Sequence, residues 1–499
     1  MAKIHFIQDT YLNESLGIMC LSSYLKANGH QVELSFTSWG MESVFAELEA
    51  SRPDIIGFSV MTSQEFEYEK VTKQVKEKIK NIKIIWGGPH CTFMPDQVST
   101  IDEVDVFAVG EGEETLLHVM NRIDQKRGFE NIDGLWYRKE NREWVKGCVG
   151  QLEDLDKYPF PDRELYYSKS KLLRNFDFKR VMTGRGCPYK CNFCFEPAWN
   201  EMYQGKGKVI RRRSPEKAVA EIKDLITRYP TKTIHFSDDS FNLNRKTWVK
   251  EFLPLYKKEI GLPFTANIAL GMVDEEFVSG MKDAGCFGLT FGLETGNEYI
   301  RTQVLQKDVT NAEVIMATDL FKKYKLKCVT FVMYGTPTET LDNAIETIEM
   351  CKRSGVDTAR VSIMKMYKGT KLAEYALKNG FVEAEGKLTY KAKDPNDEHK
   401  YMENLMWLTF YFMKVPGLVR FAKPILKFRY IRFFKILMIF TYWPEIRFFQ
   451  ASLWDSFRYF LASKRTFMEG IGEKQQDVYV AMPAAVEPAS GKSVIVAAR

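Results

Sequence analysis

Short apolar runs alternate with amphipathic helical patterns through most of this chain, and that alternation constrains the fold more than any other feature. From residue 3 to about 126 the runs KIHFI, QVELSFTS, DIIGFSVMT, IKIIWGG and VDVFAVG are separated by helical patterns at Ser15 to Asn28, Val44 to Ser51 and Glu65 to Lys80, and Thr115 to Lys126 closes the series. Strands apolar on both faces belong to parallel sheets covered by helices, and right-handed crossovers gather their loops at the strand C-termini. A doubly wound, Rossmann-like parallel sheet is therefore expected over residues 1–150. After a bridge at 151–178, rich in Asp, Pro and Tyr, the alternation resumes with a strand at 179–184 and helices at 214–228, 245–259, 274–284, 311–325 and 339–354. Six such strands are two short of a closed eightfold barrel. Residues 179–385 are expected to form an open (β/α)6 TIM-type barrel with its site at the strand C-termini.

Length and composition fit an enzyme and narrow its setting. With 499 residues, about three domains are expected at roughly 150 residues each. Lysine and arginine total 71 against 65 acidic residues, and a net charge of +6 is too mild to argue for nucleic acid. Nine cysteines are too sparse for a disulfide framework, which points to a reducing, cytoplasmic compartment. The N-terminal segment carries Asp9 and no continuous apolar run, so neither a secretory signal nor a membrane span is expected.

Residues 386–470 change character, becoming aromatic, helical in periodicity and basic, with eleven Lys or Arg between Lys414 and Arg465 against Glu445 and Asp455. They can form a helical cap that closes the barrel over its substrate, or a cap that also touches the inner membrane face or admits a lipid-like substrate. So many long aliphatics fit nucleic acid poorly, and no such partner is expected. Pro416, Pro424 and Pro444 divide the region into short helices. Residues 471–499 lack periodicity and are expected to be a mobile tail.

The most specific segment is Gly184-Arg-Gly-Cys187-Pro-Tyr-Lys-Cys191-Asn-Phe-Cys194, three thiols on one loop at the end of a barrel strand. Iron–sulfur cubes are normally closed by four cysteines, so three local ones leave an iron with an exchangeable position. A structural zinc knuckle is the competing reading, but no second C-x2–4-C pair completes it. The other six cysteines are isolated and read as core thiols.

C-x3-C-x2-C with an aromatic before the last cysteine, opening a six-stranded βα array, resembles the radical S-adenosylmethionine (SAM) superfamily over about Arg180 to Phe381. The resemblance implies a [4Fe-4S] cluster on Cys187, Cys191 and Cys194, with SAM on its open iron and an external electron donor. It further implies that Phe193 contacts the adenine, and that Ser237, Asp238 and Asp239, ending the second strand, meet the SAM amine. Glu294, in Gly292-Leu-Glu294-Thr-Gly296, would take the ribose hydroxyls, Arg301 the SAM carboxylate, and Met333 belongs to the fifth-strand motif. Taken singly, these residues could serve strand-end turns or cap helices.

Residues 1–150 resemble the cobalamin-binding domain that precedes the barrel in one large subclass. The resemblance rests on Ser59-Val-Met61, Trp86-Gly87-Gly88-Pro89-His90 and Gly110-Glu111-Gly112-Glu113. It implies cobalamin contacts at Tyr11, Ser59, Met61, Gly87, Gly88, His90, Gly110 and Glu111. The Asp-x-His-x-x-Gly motif that supplies a cobalt-ligating histidine is absent, so a corrin with no imidazole beneath it is expected. Together the resemblances imply a cobalamin-dependent methyltransferase acting on an unactivated carbon of a small-molecule substrate that is large and apolar, or natural-product- or lipid-like. A radical SAM oxidative cyclase of the same architecture and a non-catalytic corrinoid or iron–sulfur carrier are the alternatives.

Overall fold

The strands of the N-terminal region pair in the order β2-β1-β3-β4-β5-β6-β7, seven in all. Their ranges are β1 Lys3–Gln8, β2 Gln31–Phe36, β3 Ile55–Ser59, β4 Lys83–Gly87, β5 Val106–Ala108, β6 Leu135–Arg138 and β7 Trp144–Lys146. The first five run parallel, as the alternation predicts; the helices Leu16–Ala27, Met41–Ser51 and Glu65–Lys78 and the short pair Pro89–Phe93 and Pro95–Val98 connect them, and Glu113–Asp124 leads on to β6. The helix after β1 starts where its sequence says it must: Ser15 is extended and its side chain accepts from the Ile18 amide. The antiparallel β6 and β7 are an addition that the parallel pattern did not foreshadow. Strand order reverses between β1 and β3, which opens a crevice at their C-terminal ends, the place where doubly wound sheets bind ligands.

This architecture comes from a computed structural model, which describes residues 1–383, 391–392 and 398–427. The barrel is a six-stranded parallel sheet built from β8 Phe178–Val181, β11 Thr233–Phe236, β12 Phe264–Ile268, β13 Cys286–Glu294, β14 Lys327–Tyr334 and β15 Thr358–Ile363, neighbours in that order. The segment between β8 and β11 includes a small antiparallel pair, β9 Gly184–Arg185 and β10 Arg211–Arg212. The three cysteines and the helix Glu196–Met202 lie between these two strands. β13 carries a register break between Gly292 and Glu294 against β14, and Glu294 sits there at φ +65°. Such a bulge re-aims a side chain at the rim of a sheet.

One apolar core runs through both halves. It joins Phe6 of β1 and Met19 of the helix Leu16–Ala27 to Tyr158 and Tyr166 of the bridge and to Val181, Phe236 and Leu289 of the barrel. The bridge is bonded as well as packed: Tyr166 donates to Gln8 Oε1 at 2.5 Å, Asp162 Oδ2 accepts from Ser22 and Lys26 at 2.6 Å each, and buried Arg163 donates to the Arg180 carbonyl at 2.7 Å.

In the C-terminal region the described helix Glu398–Lys414 lies along β15 and the helix Leu341–Arg353. It buries Met402, Leu405, Leu408 and Phe412 in the main core, and Thr409 meets the Tyr334 hydroxyl at 3.0 Å. Residues 428–470 and the 471–499 tail lie outside the described residues. Among the described residues no helix is long and apolar enough to cross a membrane.

Candidate active site

The cysteine loop is pinned from both sides. The Asn192 amide donates to the Leu305 carbonyl at 3.1 Å, its side-chain amide to the Val304 carbonyl at 2.5 Å, and its own carbonyl accepts from Leu372 at 2.9 Å. The Cys187 amide donates to Glu196 Oε2 at 2.9 Å, and Cys194 Sγ accepts from the Glu196 amide at 3.5 Å. Burial pushes the Cys187 thiol up to about 12 and Cys194 to about 11, and raises Cys191 as well. Thiols held protonated this firmly ionise when a metal takes their charge. Among the described residues no three His, Cys, Asp or Glu side chains are grouped to hold a single metal ion. A four-iron cube, which takes one thiolate per iron, asks for no such convergence.

The end of β11 splits the Ser-Asp-Asp run. Asp239 faces a cavity beside Cys194 and Glu196. Burial first, then the charge of Asp238, holds its carboxyl above the usual range, while burial and then Asp239 push Glu196 up to about 7. A wall with two such carboxylates is short of positive charge, which the sulfonium and ammonium of SAM would bring. The buried Ser237 hydroxyl has no partner and is free to bond a ligand. Asp238 corrects the expectation: it braces the loop instead, accepting from the Thr183 amide at 3.2 Å and hydroxyl at 2.8 Å, with Arg212 at 3.5 Å.

Phe193 and Met333 share one apolar cluster with Val304 and Met366, a surface suited to an adenine. Glu294, re-aimed by the bulge, is paired with Lys307 at 2.7 Å. Arg301 is a second correction. It is fully buried and donates to the carbonyls of Val309 and Thr295 and to Asn311 Oδ1 at 2.5 to 2.8 Å, so its guanidinium closes a loop rather than facing a ligand. Lys307, which the sequence reading passed over, is the cation beside Glu294 and Cys191.

The N-terminal sheet supplies the opposite wall of the same cavity, whose volume is about 680 Å³. Ser59, Gly87, Gly88, Gly110 and Glu111 all line it, facing Phe193, Cys194 and Asp239. Gly88, at φ +93°, has the Val60 backbone 3.0 Å from where a Cβ would sit, and a Cβ on Gly110, at φ +92°, would collide with the Tyr203 hydroxyl. Val60 and Tyr203 exclude side chains at these two strand ends, which lie where doubly wound sheets bind ligands. Three expected contacts lie elsewhere. Tyr11 packs on Trp39 and Phe36, and Met61 is turned to solvent. The His90 ring is fully buried, meets Thr62 Oγ1 at 3.3 Å and is held neutral by burial, its pKa lowered to about 4. The aromatics Phe195 and Trp199, just after Cys194, also line the cavity; Phe195 stacks on Phe93 of the N-terminal domain at 4.3 Å. The run Phe195-Glu-Pro-Ala-Trp199 was the available signal for them.

Residues 181–363 match the radical SAM superfamily and residues 6–120 the B12 binding domain. An uncharacterized methyltransferase of Pyrococcus horikoshii is 30% identical over 346 residues, 69% of this chain and 73% of the relative. The anaerobic magnesium-protoporphyrin IX monomethyl ester cyclase of Rubrivivax gelatinosus is 24% identical over 358 residues, 68% of this chain and 62% of the relative. The solved structure of OxsB, a cobalamin-dependent S-adenosylmethionine radical enzyme with aqua-cobalamin bound, superimposes with a TM-score of 0.68 at 18% identity, covering 90% of this chain and 72% of that one, a likeness of fold. With the cluster loop, the open barrel and the glycine-edged sheet around one cavity, the chain belongs to the radical SAM superfamily of enzymes, in the branch that carries a B12 binding domain and uses a [4Fe-4S] cluster, SAM and cobalamin.

Proposed function

We propose that this enzyme transfers a methyl group from SAM to an unactivated carbon of a large, mainly apolar small molecule. The observation that carries the reading is the shared cavity, which has the cluster loop on one wall and the glycine strand ends of the B12 binding domain on the other. When bound, SAM supplies a carbon radical on reductive cleavage and cobalamin supplies a methyl carrier, so both must reach one substrate. Cys187, Cys191 and Cys194 would hold the cluster, and Ser237, Asp239, Glu294, Lys307, Phe193 and Met333 would hold SAM. Ser59, Gly87, Gly88, Gly110 and Glu111 would border the corrin. The aromatic walls exclude water from the reacting centre. The methyltransferase relative supports methyl transfer, and the protoporphyrin ester relative supports a large apolar substrate. A cytoplasmic location is supported by nine free thiols, and peripheral membrane contact by the basic aromatic C-terminus.

The test is anaerobic reconstitution with iron, sulfide and cobalamin, then incubation with dithionite and methyl-labelled SAM over a panel of apolar substrates. 5′-Deoxyadenosine together with a product heavier by one labelled CH2 unit is expected. The cyclase relative favours a second reading, oxidative ring closure without methyl transfer. A product that has lost hydrogen and carries no label would establish it instead.

A further inference from the structure

The insertion that carries the cysteines is anchored to the N-terminal domain at its base and at its tip. At the base, β9 and β10 place Arg185 directly opposite Arg211. Arg185 donates to Glu113 Oε1 at 2.5 Å and pairs with Glu111 at 3.2 Å. Arg211 grips both oxygens of Glu111, with Nη1 at 3.0 Å from Oε2, and donates to the Glu153 carbonyl at 2.8 Å. At the tip, Trp199, Met202, Tyr203 and Val209 belong to the core on one face of the N-terminal sheet, and the Tyr203 hydroxyl accepts from the Glu111 amide at 2.8 Å. Glu111 therefore receives both ends of the insertion, while the barrel holds the loop at Asn192.

Glu113 and Arg211 are buried and Glu111 and Arg185 half-buried, and their charges pair in one arrangement, so a slip leaves a buried charge unpaired. Apolar packing of Trp199 and Tyr203 would tolerate small slips. We propose that Arg211, acting with Arg185 through Glu111, is a positioning residue that sets the separation between the cluster loop and the corrin wall. The inference rests on the reading that both cofactors share the cavity. Arg211 does not line that cavity, so it acts through Glu111 rather than on a ligand.

The experiment compares wild type, R211K, R211Q and Y203F, each reconstituted anaerobically with iron, sulfide and cobalamin. Electron paramagnetic resonance on samples with the cluster reduced and the cobalt paramagnetic reads the magnetic coupling between the two, which depends on their separation. The cofactor-free proteins are digested with trypsin, scoring cleavage after Lys206 and Lys208. R211Q is expected to keep wild-type iron, sulfide and corrin content, to lose much of the coupling, and to be cut about tenfold faster. R211K should lie between, and Y203F should shift the same way by less. Unchanged coupling in R211Q and Y203F overturns the proposal whatever the digestion shows. Loss of corrin or iron from R211Q at wild-type stability also overturns it, because Arg211 would then be a binding residue. If R211Q does not fold, Y203F decides. Wild-type protein that takes up no corrin or no iron defeats the underlying reading instead, and this inference with it.

Discussion

The two walls of the cavity recognise their ligands in opposite ways. The barrel side is built of donor chemistry: Cys194 and Asp239 line the cavity itself, and the rest of that site adds Cys187, Cys191 and the Glu294–Lys307 pair. The sheet wall sets the glycines Gly87, Gly88 and Gly110 among apolar side chains such as Leu21, Phe58 and Leu116. Donor chemistry discriminates by atom type and charge and fails completely when a donor is removed. A wall of glycine and apolar groups discriminates by shape and fails by degrees as volume is added. Each prediction below tests one side of that contrast.

The largest effect is expected at the cluster. Cys191→Ala should abolish 5′-deoxyadenosine formation and drop the bound iron, while corrin uptake by the anaerobic protein stays near wild type, since no cysteine of the loop belongs to the sheet. Iron, corrin and deoxyadenosine measured on one preparation check it, and joint loss of both cofactors would mean that the walls are not separable.

Next is acid stability, where the two regions carry matching devices. His5 in β1 is buried against Ser35 Oγ at 2.6 Å, and His235 in β11 against Thr265 Oγ1 at 2.9 Å. Burial lowers His5 to about 4; burial, then Arg360 and Arg180, lowers His235 to about 3. Both lie below the unfolded value of about 6.5, so the unfolded chain binds more protons between the two limits. Stability is present in full above pH 6.5 and falls as pH drops toward 4, by roughly 1.4 kcal/mol per unit for each ring. Denaturant unfolding at pH 7, 6 and 5 should show the decline, and His5→Gln should reduce its slope by one proton. A flat profile would contradict it.

How far each wall was legible before the structure follows from the same contrast. Cysteine spacing is a local property, so Cys187, Cys191 and Cys194 could be read directly, as could Ser15 as a helix start. Glycine at a strand end is generic, and only the placement of Val60 and Tyr203 shows why Gly88 and Gly110 must lack a side chain. Arg301 was misread because nearness to Glu294 in sequence suggested a shared ligand, whereas its donors answer the carbonyl of Thr295 before it and that of Val309 in the loop after it. Lys307, thirteen residues beyond Glu294, lies in a loop with no periodicity to announce it. The β6–β7 hairpin was hidden because Leu135–Arg138 and Trp144–Lys146 are short and join antiparallel to an otherwise parallel pattern.

A mid-sized effect tests the shape-selective wall. Gly88→Ala forces a Cβ to within 3.0 Å of the Val60 backbone at φ +93°. It should cost about 1–3 kcal/mol of stability and weaken corrin retention, leaving iron content unchanged. Thermal unfolding and corrin absorbance after gel filtration measure the two. Full corrin retention would show that the strand ends do not border that cofactor.

A change of similar size separates two cations that sequence alone could not rank. Lys307→Met removes the 2.7 Å partner of Glu294 without exposing a large surface, and one charge-assisted bond to SAM is worth roughly 1.5–3 kcal/mol. The SAM concentration needed for half-maximal deoxyadenosine formation should rise about tenfold or more with iron content close to wild type, and the stranded Glu294 carboxylate should lower the melting temperature as well. Arg301→Lys should act on stability alone, because the short ammonium cannot reach Val309, Thr295 and Asn311 together. It should lower the melting temperature and leave the SAM dependence unchanged in the protein that remains folded. If instead Arg301→Lys moves the SAM dependence while Lys307→Met does not, the carboxylate of SAM is read by the arginine, and the bulge at Glu294 aims its side chain at something other than this cofactor.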